Sequence, residues 1–242
     1  MPILPGGCII VPGRISVGCP ADDQNLRRLI LDIHWYGFSC FRIAERGHTT
    51  VVTDPRHPRL NLAKLGLKAD LVTISHEGMA EQVEAIRGEA YLISGAGEYE
   101  VGELFVTGIP LHAHDSETGK VSKNIAYHLE YPNKLNVLHL GTLHQKPDQS
   151  IIEQFDEVHV LLLPVGGAGL SGDELADLIS LIEPGYVLPM QPADVSDDAF
   201  ATALGVLLAG MGAVDAEVQD MLRVTSSGLD EQTQIIPLRP GA

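Results

Sequence analysis

From residue 33 onward the chain alternates short apolar runs with turn residues. Runs at 33–36, 41–44, 49–53, 71–75, 91–94, 104–107, 125–130 and 136–140 are rich in β-branched and aromatic residues. Gly, Pro, Asn and Asp punctuate them, which is the pattern of short strands. A helical spacing begins after the fourth run, over 80–87. In the second half the rhythm changes to strands interleaved with longer helices. A helix near 148–155 leads to a strand at 158–163. A helix over 172–182, capped by Ser171, leads to a strand at 186–190. A helix over 197–209, capped by Ser196, is followed by a shorter one at 216–222 and a strand at 233–238. Mixed strands and helices in one chain of this size predict an α/β fold: a four-layer αββα sandwich, two mixed β-sheets flanked by helices. Residues 1–30 read as an N-terminal extension and 31–242 as one domain. In the extension, Pro5-Gly-Gly and Pro12-Gly predict turns around short strands at 9–11 and 15–17. Residues 22–30 read as a lead-in.

Composition narrows the function classes. The 242 residues suffice for a large core, and 45% hydrophobic with 20% charged residues describes an ordinary globular protein. The net charge of −16 repels polyanions, and no Lys/Arg cluster is visible, so nucleic acid is not an expected partner. No basic n-region precedes an h-region, and no apolar run approaches the roughly 20 residues of a membrane span. The three cysteines, Cys8, Cys19 and Cys40, read as reduced thiols. A Cys8–Cys19 bridge is the less favoured alternative. The expected location is therefore cytoplasmic, with neither secretion nor membrane attachment.

The most informative stretch is Leu71-Val-Thr-Ile-Ser-His76-Glu-Gly78-Met-Ala80-Glu81. A strand ends at Ser75-His76 and a helical segment starts directly after. Around it, Ile33-His-Trp35-Tyr-Gly37, Val51-Val-Thr-Asp54-Pro55, Gly95-Ala-Gly97-Glu98-Tyr99, His139-Leu-Gly141-Thr142, Leu163-Pro-Val-Gly166-Gly167 and Leu188-Pro189-Met190-Gln191 follow in order. In order and spacing these segments resemble the metallo-β-lactamase-fold superfamily, over roughly residues 31 to 238. Within it they are similar to the small metal-dependent hydrolases akin to L-ascorbate-6-phosphate lactonase. The tail over 222–238 resembles the family's closing strand.

The resemblance implies which positions would ligate metal. The His-x-His-x-Asp-His motif of the family falls on His76, Gly78, Ala80 and Glu81. The next ligand falls on His114, or on His112 if an indel shifts the register. The bridging Asp falls on Thr142 and the last His on Gln191. Gly and Ala carry no ligand atom, and Thr and Gln are poor zinc donors, so a standard dinuclear centre is not expected. The site is read as degenerate: a pocket formed by Asp54, His76, Glu81, His114, Asp115, Thr142 and Gln191, with no cofactor or a single weakly bound zinc. His76 and His114 are its residual metal ligands, with His144 nearby in sequence. Asp54, at a strand end before Pro55, is expected to accept backbone N–H bonds from the His76 loop in either case.

Other patterns add little. Gly167-Ala-Gly169-Leu-Ser-Gly172 matches a dinucleotide fingerprint, but no acidic residue closes a following strand as ribose binding needs. A small anion is the better fit to this helix start. Ser39, Ser75 and Ser94 lie outside any nucleophile elbow, and Cys40 reads as a small core residue. His34, His128 and His159 read as solvent-facing or satisfied strand histidines, and His48 and His57 as loop residues. Glu98 and Tyr99 suit a turn hydrogen bond or a substrate contact. The expected function is a hydrolase-like, non-catalytic or ligand-binding use of the old pocket, with a small molecule as partner. The alternative is metal-dependent hydrolysis of a small ester, lactone or phosphoester at a one-metal site, with Glu81 or Asp115 as third ligand or general base. A structural or assembly role is a third class.

Overall fold

The computed structural model describes residues 30–76, 80–111, 113–114, 121–132, 134–166, 170–192, 195–225 and 232–241, and the side chains of all of these except 80–82, 113–114 and 121–122. The N-terminal strands and lead-in proposed above, Cys8 and Cys19 lie outside the described residues, as do His112, Asp115 and Gly167–Gly169.

The first sheet contains β1 (Ile30–Gly37), β2 (Cys40–Glu45), β3 (Val51–Thr53), β4 (Leu71–Thr73), β5 (Tyr91–Ile93) and β14 (Leu222–Thr225). Its six strands run in the order β14-β1-β2-β3-β4-β5. The second contains β6 (Gly97–Val101), β7 (Leu104–Pro110), β10 (Ile125–Glu130), β11 (Asn136–His139), β12 (Val160–Pro164), β13 (Tyr186–Met190) and β15 (Gln234–Ile235). Its seven strands run in the order β15-β13-β12-β11-β10-β7-β6. A two-stranded ribbon, β8 (Ala113–His114) with β9 (Val121–Ser122), stands apart. Antiparallel and parallel pairs occur in both sheets: β1–β2 and β7–β10 are antiparallel, and β3–β4–β5 and β11–β12–β13 are parallel.

Alternation along the strands makes the layers. Leu31, Ile33 and Trp35 of β1 and Ile43 of β2 face inward. They meet Leu129, Val137, Val160, Leu162 and Leu188 of the second sheet. The opposite face of the second sheet, with Leu138, Leu161, Leu163 and Val187, packs on Leu175, Leu178, Ile179 and Leu207. Those residues come from α3 (Gly172–Ile182) and α4 (Asp197–Gly210). β12 is buried on both faces and reads Val-Leu-Leu-Leu-Pro without alternation, as expected of a covered parallel strand. The outer face of the first sheet, with Cys40, Val52 and Val72, is covered by Leu60, Leu62, Leu67 and Ile86. These belong to loops, to the one-turn helix α1 (Leu62–Leu65) and to the segment after a 3-10 turn over Ala80–Ala85. The predicted αββα sandwich is therefore the observed one, with its helical cover much thinner on the first sheet.

Three predicted elements differ. The helix over 80–87 is a 3-10 turn, and the helix near 148–155 shrinks to α2 (Gln149–Ile152). No helix forms at 216–222: Gln219 bridges Leu238, and β14 starts at Leu222 to pair with β1. Local propensity there yields to long-range pairing that closes the open edge of the first sheet. Among the described residues, no helix is long and apolar enough to cross a membrane.

Candidate functional site

Loops leaving the C-terminal ends of parallel strands meet at one edge of the sandwich, the edge where α/β folds place ligands. Asp54 follows β3, Ser75 and His76 follow β4, Thr142 follows β11, and Gln191 follows β13.

Asp54 organises the first pair of loops. It is buried and sits at φ +38°, a left-handed conformation that Asp tolerates better than most residues. Its Oδ1 accepts the backbone N–H of Ser75 at 2.7 Å, and its Oδ2 accepts the Ser75 hydroxyl at 2.5 Å. The first is the backbone bond expected from the sequence. That geometry determines the state of His76. Ser75 has one proton and gives it to the carboxylate, the stronger acceptor. The Ser75 oxygen therefore accepts from His76 Nδ1, 3.0 Å away. A neutral His76 is then the tautomer with its lone pair on Nε2. The Thr142 hydroxyl lies 3.4 Å from the same Nδ1. So Thr142, at the position where the resemblance expects the bridging carboxylate, faces the histidine.

The 140–142 loop is held by a residue that sequence reading passed over. Asn124 donates from its amide to the Leu140 carbonyl at 2.7 Å and accepts the Thr142 N–H at 3.1 Å. Gly141 is obligatory there. At φ +63° a Cβ would lie 2.3 Å from Asn124 Oδ1 and 2.5 Å from Ser75 Cβ. The second sheet props the loop after β4 as well. Ile125 N–H donates to the Ser75 carbonyl at 2.7 Å, and the buried Tyr127 hydroxyl donates to the Ile74 carbonyl at 2.9 Å.

Two more groups beneath the site escaped the sequence. Arg56 is buried, donates to the His76 carbonyl, and lies 3.9 Å from Asp54 Oδ1. Burial presses its pKa down and Asp54 opposes that. His139, wholly buried, places Nε2 3.9 Å from Asp54 Oδ2 and makes no hydrogen bond of ordinary geometry at either ring nitrogen, although the Ser39 backbone lies beside it. Burial lowers its pKa, so it is neutral at pH 7. In the sequence it opens the segment His139-Leu-Gly141-Thr142, where nothing points to Asp54 as its neighbour.

The Gln191 side chain is engaged within its own loop. Its Nε2 donates to the Val195 carbonyl at 2.7 Å and to Asp197 Oδ1 at 2.9 Å. Asp197 in turn accepts from Arg59 Nη2 at both carboxylate oxygens, 3.0 and 2.7 Å away, which, with Gln191, holds its carboxyl below the usual range. Arg59 lies over the Phe38 ring at 5.1 Å, and Phe38 stacks on His57 with ring centroids 3.4 Å apart. These contacts tie the loop after β3 to the start of α4.

The structure thus brings Asp54, His76 and Thr142 into one hydrogen-bonded group and puts Gln191 at the same edge. The side chains of Glu81 and His114, and all of Asp115, lie outside the described residues. Among the described residues, no three His, Cys, Asp or Glu side chains are placed to hold a metal ion. Two other described histidines sit on strands of the second sheet or next to them. His128 pairs with the Glu157 carbonyl and Glu130, and His159 Nδ1 accepts the Asn136 N–H at 3.1 Å. Cys40 is a free, buried thiol whose pKa burial raises, an inert core residue. Tyr99 donates to the Gly95 carbonyl at 3.2 Å, a turn bond.

A model of the beta-lactamase superfamily domain matches residues 32–191, well over half of the chain. The chain belongs to that superfamily. Solved structures agree on the fold of this superfamily member. A Thermotoga maritima protein assigned to the zinc-dependent hydrolases of the metallo-β-lactamase superfamily superposes with a TM-score of 0.67 at 24% identity, covering 86% of this chain and 100% of that one. A Parabacteroides distasonis protein assigned to the metal-dependent hydrolases gives 0.61 at 14% identity, over 86% and 94%. Igni18, a metallo hydrolase from Ignicoccus hospitalis, gives 0.57 at 18% identity, over 88% and 97%. No curated protein matches the chain.

Proposed function

We propose that this superfamily member uses the loop-edge pocket to bind a small polar molecule without metal-dependent hydrolysis. One observation supports the reading best: Thr142, which the resemblance puts at the bridging-carboxylate position, brings a hydroxyl rather than a carboxylate beside His76, 3.4 Å from its Nδ1. Two others support it. The Gln191 amide nitrogen is spent on Val195 and Asp197. By resemblance, Gly78 and Ala80 bring no ligand atoms, so the site is degenerate and the likeness to ascorbate-6-phosphate lactonase is one of scaffold. Asp54, His76 and Thr142 would form the pocket floor, with Glu81, His114, Asp115 and Gln191 around it.

A second reading has one observation in its favour. The Asp54–Ser75 relay leaves the His76 lone pair on Nε2, the state a metal ligand or a general base requires. With His114 and one carboxylate, Glu81 or Asp115, it would make a one-metal hydrolase of a small ester, lactone or phosphoester. The two readings separate in one experiment. Ester, lactone and phosphodiester substrates are incubated with the full chain, with and without added zinc, while His76 ring resonances are followed by NMR. The proposal expects ring shifts on ligand addition and no turnover above background. Zinc-dependent turnover abolished by His76→Ala establishes the second reading instead.

A further inference from the structure

α4 has the composition of a buried helix, yet it lies on the surface. No side chain from Ala199 to Val214 carries a charge, although charged residues make up 20% of the chain. A comparable charge-free run at 158–166 contains β12 and is buried almost throughout. In α4 the one buried residue is Leu207, while Phe200, Ala203 and Leu208 are half-buried against the second sheet and α3. Val206 is 55% exposed, and Val214 and Val218, just beyond the helix, are exposed too. A helix that is apolar all round is expected to be covered all round, and α4 is covered on one side.

Gly205 supplies the second observation. It sits in the middle of α4, where glycine weakens a helix relative to alanine. Its φ is not left-handed, and no described atom lies within 4 Å of the place a Cβ would take. Neither a turn nor a described neighbour requires glycine there. Ala201 and Ala209, both exposed, lie one turn away on either side and extend the same shallow stripe. Such a stripe lets another backbone come close. α4 already meets one neighbour in this way: a Cβ on Gly172, where α3 begins, would lie 2.7 Å from Val206 Cγ1.

Charge and area select the occupant. The net charge of −16 makes two copies repel wherever their acids face each other, so an uncharged face is where they can meet. A basic partner would be steered to the acids of this protein rather than to α4. A flat, uncharged stripe is complementary to itself, which is what a two-fold axis requires. At 14 residues the helix is roughly 21 Å long and about 10–12 Å wide. Paired with its copy, and flanked by Val214 and Val218, it gives a contact of about 1,000 Å² in total, the lower bound of a specific interface.

We propose that the exposed face of α4 is the contact by which two copies of this chain form a weak, symmetric dimer. The two-fold axis passes beside Gly205, so the two helices run antiparallel with opposed macrodipoles. Ala201 of one copy then lies against Ala209 of the other. Asp198, Asp215 and Glu217, exposed at the ends of the contact, repel across the axis, and salt screens that repulsion.

Sedimentation velocity of the full chain, from micromolar to near-millimolar concentration, tests this. The proposal expects a reversible monomer–dimer equilibrium that tightens at least twofold when NaCl is raised tenfold. Gly205→Gln adds bulk without charge and favours the helix. It should weaken the dimer at least tenfold while the melting temperature of the monomer stays the same or rises. Phe105→Gln, at an exposed apolar residue on β7, should leave the dimer unchanged. Backbone-amide hydrogen exchange over 199–210 should slow as the wild-type concentration rises. A chain that stays monomeric at the highest concentration overturns the proposal. So does a dimer that Gly205→Gln leaves intact, that Phe105→Gln weakens equally, or that salt dissociates. The wild-type concentration and salt series decides without any variant, so a variant that fails to fold does not leave the question open.

Discussion

Asp54→Asn tests how the candidate site is held together. The substitution keeps the shape and the tolerance for φ +38°. It removes the charge that holds Ser75 N–H at 2.7 Å and the Ser75 hydroxyl at 2.5 Å. One amide oxygen can still accept one of these donors, so about one charge-assisted bond is lost, worth roughly 1.5–3 kcal/mol. Arg56 then remains buried without the carboxylate 3.9 Å away. Arg56 keeps its bond to the His76 carbonyl, so losing the carboxylate adds less than the about 3–5 kcal/mol that removal of one partner from a close buried pair costs. The longer Arg56–Asp54 distance puts the combined expectation near 3 kcal/mol. For a domain of this size that is a fall in melting temperature of about 6–12 °C. His76→Ala removes a half-buried ring and should cost about 1 kcal/mol, or 2–4 °C. Differential scanning calorimetry of both variants in metal-free buffer decides. Equal falls would refute the argument, because they would mean Asp54 contributes no more to folding than the histidine it orients.

Four further outcomes follow from single residues. Gly141→Ala forces a Cβ against Asn124 and Ser75 at a left-handed φ, and should cost about 2–4 kcal/mol in urea unfolding; because Asn124 is both the clash partner and the loop's anchor, the double variant with Asn124→Ala should cost less than the two single variants summed. Ser171→Ala removes the cap of α3, whose hydroxyl accepts Glu174 N–H at 3.3 Å, and should lower stability by about 1 kcal/mol. The Glu174 carboxyl, bonded to the Ser171 N–H and hydroxyl, is held below its usual pKa; a depressed carboxyl stabilises above the unfolded pKa of about 4.3 and loses its effect as pH falls through the folded value. The gap in urea midpoint between wild type and Glu174→Gln should therefore be full at pH 6 and close below pH 4. His159, lowered by burial, contributes stability that is present above about pH 6.5 and lost as pH falls, so His159→Gln should flatten the decline between pH 7 and pH 5.

Elements with local signals were legible in the chain. Ser171 and Ser196 each accept the N–H three residues on, and α3 and α4 start where those caps predict. β13 spans the predicted residues because its apolar run is bounded by Gly185 and by Pro192. The failures are non-local. Residues 216–222 contain good helix formers, but the unpaired edge of β1 captures Leu222–Thr225. Within the site, Asp54 and His76 stood out because strand ends and a motif marked them. Asn124, His139 and Arg56 did not, since what they do depends on partners far away in the chain: Asn124 on the 140–142 loop, His139 and Arg56 on Asp54.

The central claim is that the old metal pocket no longer runs metal-dependent hydrolysis. Zinc content of the full chain, purified without chelator and measured by atomic emission alongside ester, lactone and phosphodiester hydrolysis, tests it most directly. A catalytic zinc usually needs three protein ligands and an open position for water, and two of the positions that the resemblance would use are Gly78 and Ala80, which carry no ligand atom. The account predicts less than one zinc per chain and rates at background. One stoichiometric zinc per chain, lost together with a measurable hydrolytic rate in His76→Ala, would contradict it.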